Sequence, residues 1–200
     1  TAHFSYRGVW GSHGYYRFSY LIEDTFAVVD MLRQRAEQYR IDPERIYLLG
    51  HSMGGFTALN AIADGLKVRG AVIVAPCDMA MRCQEELTSY EKMKKTAQSG
   101  VFNLPDGKCL WEDLELNCGK WRFDALADRL PPEIGLHFIG GTRDTAVPPP
   151  KHIFPLYERL LDRGMDVSYQ ELNTGHAFTG YRITLTGMVY DLIEKMERDR

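Results

Sequence analysis

Two hundred residues suffice for one sizeable hydrophobic core and fall short of two comfortable domains. A formal net charge of −3 with 26% charged residues describes an ordinary mixed surface, with no basic stripe to neutralise phosphates and no acidic tail, so nucleic acid is not an expected partner. No apolar run approaches the roughly 20 residues of a membrane-spanning helix and nothing at the start reads as a signal peptide; no membrane partner is expected, and the compartment stays open with a lean toward the cytoplasm.

The chain opens on a short strand-like run, Ala2–Tyr6, that breaks at Arg7-Gly8. The loop from Gly8 to Tyr16 is rich in glycine and aromatics; Trp10 and Tyr15 in it are candidate substrate-binding residues, with a plain surface loop as the alternative. From Tyr20 to Tyr39 apolar residues recur at Ile22, Phe26, Val29, Leu32, Ala36 and Tyr39, the spacing of a helix with one buried face. Glu23 and Asp24 near its start and Arg33, Arg35 and Arg40 toward its end suit the helix dipole. A turn at Ile41-Asp42-Pro43-Glu44 then leads into the strand Ile46–Leu49.

That strand runs into Gly50-His51-Ser52-Met53-Gly54 and an alanine-rich helix former, Gly55 to Ala63, the strand, turn and helix that a G-x-S-x-G nucleophile elbow requires. Such a turn strains the serine and lifts its hydroxyl clear of the backbone. Side chains at Gly50 or Gly54 are expected to collide with the strand or helix alongside. The Met53 amide, at the start of the helix, is the candidate oxyanion donor, aided by the helix dipole.

Further on, Arg69–Ala75 is, after its arginine, a continuous apolar run of the kind found in a parallel strand covered on both faces. Residues 78–130 interrupt the alternation and read as an inserted cap within a single domain spanning 1–200. Met79, Met81, Trp111 and Trp121 either line that cap or simply pack inside it. A strand at Ile134–Ile139, a helix from His152 to Arg163, a strand at Val167–Leu172 and a helix from Tyr181 to Glu197 complete an α/β chain: a mostly parallel sheet with helices on both faces.

In such sheets functional groups gather beyond the carboxyl ends of strands. Asp144 follows the strand ending at Ile139 and His176 follows the strand ending at Leu172, so the order Ser52, Asp144, His176 is the order this architecture uses. A serine hydroxyl needs an imidazole to take its proton, and the imidazole needs a carboxylate on its other nitrogen. Asp78 competes with Asp144 for the second role. His3, His13, His51, His137 and His152 are the rivals of His176; His51, beside the serine, points away from it and is instead a candidate substrate-binding residue. The cysteines, Cys77, Cys83, Cys109 and Cys118, lack zinc-site spacing, so no metal is expected; a disulfide among those of the inserted segment requires export.

These motifs resemble the α/β-hydrolase superfamily, in particular its prolyl-oligopeptidase and dienelactone-hydrolase-like branch. The resemblance rests on Tyr6-Arg7-Gly8, Ile41 to Ile46 leading into Gly50–Gly55, Gly141-Thr142-Arg143-Asp144 with Val147-Pro148, and Gly175-His176-Ala177-Phe178. It implies a serine hydrolase acting on an ester, thioester or peptide bond of a small molecule or short peptide, with no metal or organic cofactor. An acyltransferase on the same triad and a non-catalytic binding module that keeps the fold are the alternatives. The resemblance also implies a strand between Ala2–Tyr6 and Arg45–Leu49 that the sequence does not supply. The expectation is therefore a sheet lacking N-terminal strands, to be completed by an upstream segment or a partner chain, with the second oxyanion donor missing.

Overall fold

The strand β1 (Tyr47–His51) begins a four-stranded sheet that continues through β2 (Gly70–Val74), β3 (Gly135–Gly141) and β4 (Val167–Leu172), every neighbouring pair parallel and in the order of the sequence. The computed structural model describes residues 1–81, 91–95 and 98–198. They divide into two compact units, one of Thr1–Arg35 with Asp78–Arg122 and one of Ala36–Cys77 with Phe123–Arg200; the sheet lies wholly in the second.

Parallel strands joined by helical crossovers are buried on both faces, which explains the apolar, β-branched sequence of β2, all five residues of which are buried. Side chains alternate across a strand, so Val72 and Val74 share one face and Ala71 and Ile73 the other. On the first face Val72, Val74 and Ile139 form a cluster with Val189, Leu192 and Met196 of the last helix, α8 (Arg182–Arg198). On the opposite face α3 (Met53–Ala63) packs at β1 and β2, bringing Gly55 against Ile73. Phe138, paired in register with Ile73, meets Tyr157 of α7 (Phe154–Asp162) edge-on on that same face. Helices thus cover both faces, as expected. Each fully buried Val, Ile, Leu or Phe contributes about 1.5–3 kcal/mol. Three shorter helices, α2 (Ala36–Tyr39), α5 (Phe123–Ala127) and α6 (Pro149–His152), complete this unit.

β1 differs from β2: Leu49 is 58% exposed, and among the described residues no strand pairs with its outer side. The run Ala2–Tyr6, expected as a strand, forms no ladder among the described residues. Its β-favouring composition cannot hold an extended strand without a partner to take its backbone groups.

The first unit holds α1 (Phe18–Gln34) against α4 (Lys108–Trp121). The buried carboxylate of Asp113 accepts the Ser19 amide at 2.9 Å, satisfying one of the orphan N–H groups at the start of α1. Asp24 takes the Arg7 amide at 2.8 Å and the Arg7 Nε at 2.6 Å, tying the loop before α1 to its second turn. Met79 and Trp121 are buried, and Trp121 meets Phe18 edge-on. Among the described residues no helix is long and apolar enough to cross a membrane.

Candidate active site

Ser52 sits between β1 and α3 with φ 54° and ψ −113°, a left-handed conformation that costs a residue with a side chain about 1–3 kcal/mol. Its backbone is held from both sides: its amide donates to Val74 O at 2.9 Å, and its carbonyl accepts from Phe56 N at 3.1 Å and Cys77 N at 3.2 Å. The strain is thereby fixed in place and the hydroxyl is left for other partners.

The glycines around it divide the work differently from the sequence reading. A Cβ at Gly50 would run into the backbone of Gly54, as expected. At Gly54 a Cβ meets nothing within 4 Å; the tight position is Gly55, where it would lie 2.9 Å from Pro76 Cβ and 3.2 Å from Ile73 Cγ2. The helix approaches β2 through its third residue, so the constraint falls one position later than the motif suggests.

β3 extends to Gly141, so Gly140 and Gly141 end the strand instead of opening the loop after it. A Cβ on Gly141 would lie 2.6 Å from Thr174 O, and the missing side chain lets the Asp144 and His176 loops run together. They are joined by Thr142 N to Leu172 O and Arg143 N to Thr174 O, each at 3.0 Å, and by the Arg143 guanidinium on Asn173 O at 2.7 Å. Asp144, its side chain fully buried, accepts the amides of Ala146 and Val147 on Oδ1 at 2.9 and 2.8 Å and presents Oδ2 to His176 Nδ1 at 2.7 Å. His176 Nε2 lies 2.9 Å from Ser52 Oγ. A carboxylate only accepts, so Nδ1 carries the hydrogen and Nε2 turns its lone pair to the serine hydroxyl.

The three residues picked from the sequence are therefore brought together. The rival Asp78 is occupied by the Ala80 amide at 3.0 Å. His137 is fully buried in β3 with its Nδ1 2.8 Å from Ser168 Oγ, and His152 is buried at the end of α6. Met53 is the first residue of α3, so its amide has no acceptor within the helix. Trp10 and Tyr15 belong to the first unit, in the loop before α1, and are 77% and 58% exposed. His51 turns to the histidine loop, its Nε2 2.9 Å from His176 O.

An open depression of about 460 Å³ lies beside the imidazole, lined by Arg143, Thr174, Gly175, His176, Ala177 and Thr179. Among the described residues no group of three or more His, Cys, Asp or Glu is placed to hold a metal ion. Cys77, Cys109 and Cys118 are in no disulfide; Cys83 lies outside the described residues.

Residues 7–101 match the model of a family described as serine aminopeptidase, S33. Over 59 residues the chain is 41% identical to the uncharacterized protein YfhR of Salmonella typhimurium, a stretch that is 30% of this chain and 19% of that protein. The fold is similar to that of a monoacylglycerol lipase of Paleococcus ferrophilus, with a TM-score of 0.60 at 17% identity over 92% of this chain and 78% of the other. It is also similar to dipeptidyl peptidase 4 of Porphyromonas gingivalis, with a TM-score of 0.62 at 15% identity over 89% of this chain and 23% of that one. With its parallel sheet, its strained serine between strand and helix, and an aspartate and a histidine beyond β3 and β4, the chain has the α/β-hydrolase fold.

Proposed function

We propose that the protein is a serine hydrolase that cleaves a carboxylic ester, thioester or peptide bond through an acyl-enzyme. The observation that carries this reading is the unbroken relay from Asp144 through His176 to Ser52, at 2.7 and 2.9 Å. Ser52 Oγ attacks the carbonyl carbon while its proton passes to His176 Nε2. Asp144, held by two amides, keeps the imidazole in the required tautomer and stabilises the imidazolium. The Met53 amide, at the positive end of α3, receives the negative charge on the carbonyl oxygen. His176 then returns the proton to the leaving alcohol, thiol or amine as the carbonyl bond to it breaks. Water, deprotonated by the same imidazole, releases the acid and restores Ser52.

A small ester or short peptide is the proposed substrate, with the depression beside His176 as the place for one of its ends. The relatives named above act on both lipid and peptide, so the scaffold alone does not choose between them. Mixing the protein with p-nitrophenyl esters of graded acyl length tests the reading. Wild-type protein is expected to turn over at least one of them and to gain the mass of one acyl group on Ser52, and Ser52→Ala to do neither. Wild-type protein inert to esters, thioesters and short peptides alike contradicts it.

A further inference from the structure

We infer that His51 is a positioning residue for the general base: it holds the backbone carbonyl of His176 and so keeps that imidazole in line between Ser52 and Asp144. The inference rests on the reading of His176 as the proton carrier. His51 ends β1 and directly precedes Ser52, so the strand that carries the nucleophile also carries an anchor for its base. The His51 Nε2 lies 2.9 Å from His176 O. A carbonyl only accepts, so Nε2 bears the hydrogen and donates.

The two imidazole rings lie 4.9 Å apart with 37° between their planes, and Phe178 meets His51 edge-on at 5.9 Å. Phe178 is buried and left-handed, with φ 51°, and its amide closes a turn onto Gly175 O at 3.1 Å. The histidine loop is thus pinned after His176 by a buried ring and at His176 itself by His51. The imidazole needs such an anchor because its side chain is 27% exposed, so packing does not enclose it fully.

The titratable groups acting on His51 are His176 and Asp144. Partial burial holds the His51 imidazole below its usual range; the hydrogen bond to the His176 carbonyl and the charge of Asp144 oppose it, while the charge of His176 pushes the same way as burial. A neutral His51 serves the site, since a second cation beside His176 would oppose formation of the imidazolium.

The test compares His51→Phe, which keeps a ring but has no donor, with His51→Gln, whose amide nitrogen can reach the same carbonyl. Saturation kinetics of labelling by a fluorophosphonate report on Ser52 and His176. Misplacement of a reacting group by about 1 Å can cost roughly 10²-fold. His51→Phe is expected to lower the maximal labelling rate by about tenfold or more with little change in probe affinity, and His51→Gln to recover most of that loss. Two variants equally fast, or equally slow, overturn the inference.

Proton NMR of the His176 Nδ1–H on Asp144 separates this from the hydrolase reading. That resonance is expected to persist in His51→Gln and to broaden or move in His51→Phe; an unchanged resonance in both variants overturns the inference. Wild-type protein that takes no probe contradicts the hydrolase reading, and the spectra then decide the positioning role alone.

Discussion

Asp144 and His176, 32 residues apart in sequence, meet through Oδ2 and Nδ1 at 2.7 Å, while the other carboxylate oxygen is occupied by the amides of Ala146 and Val147. The carboxylate is held on one side so that it can hold the imidazole with the other. Asp144→Asn preserves the shape and the amide acceptor but offers the imidazole an oxygen without charge or a competing N–H. Ester turnover is expected to fall by about 10⁴-fold, as when a triad aspartate is neutralised. Substrate affinity should change little, which steady-state kinetics on the ester panel will read.

The strain at Ser52 makes a prediction about stability. With φ 54° and ψ −113°, glycine fits this position better than any residue with a Cβ. Ser52→Gly is expected to be more stable than Ser52→Ala by about 1–2 kcal/mol. Urea denaturation of both variants measures the difference.

Gly141 and Gly54 form a contrasting pair. A methyl group on Gly141 meets the backbone of Thr174 at 2.6 Å, so Gly141→Ala must part the two loops that carry Asp144 and His176. It is expected to cost about 1–3 kcal/mol and to lower turnover at the same time. Gly54 lies within α3 with open space around it, and Gly54→Ala should gain about 0.5–1 kcal/mol from helix propensity. Thermal melts of the two variants should move in opposite directions.

Much of this was legible in the sequence because it depends on local pattern. The all-apolar run around Val72 could only be a strand buried on both faces. The glycines flanking Ser52, and Asp144 and His176 each following a strand, pointed to the relay from the sequence alone, with Asp78 as the rival of Asp144. What was hidden depends on contacts between distant segments. Nothing near Gly55 announces Pro76, nothing near Gly141 announces Thr174, and nothing beside His51 announces the carbonyl of His176. Ala2–Tyr6 shows the converse: its composition favours a strand, yet a strand exists only where a neighbour takes its hydrogen bonds.

His51 also links the site to stability. Burial lowers its pKa in the folded state relative to the usual histidine value of 6.5, so between the two values the unfolded chain binds more protons than the folded one. Its contribution is therefore present above about pH 6.5 and is lost as pH falls through the lowered value. His51→Gln is expected to lose less stability than wild type between about pH 7.5 and pH 5.5, which urea midpoints at the two pH values will show.

The proposed chemistry makes Ser52 a nucleophile by passing its proton to His176. Labelling by a fluorophosphonate, followed by peptide mass spectrometry, tests it most directly. The expected result is one adduct per chain, on Ser52, absent in Ser52→Ala and strongly slowed in His176→Ala. Intact, folded protein that carries no adduct, or one that labels equally fast without His176, would contradict the account.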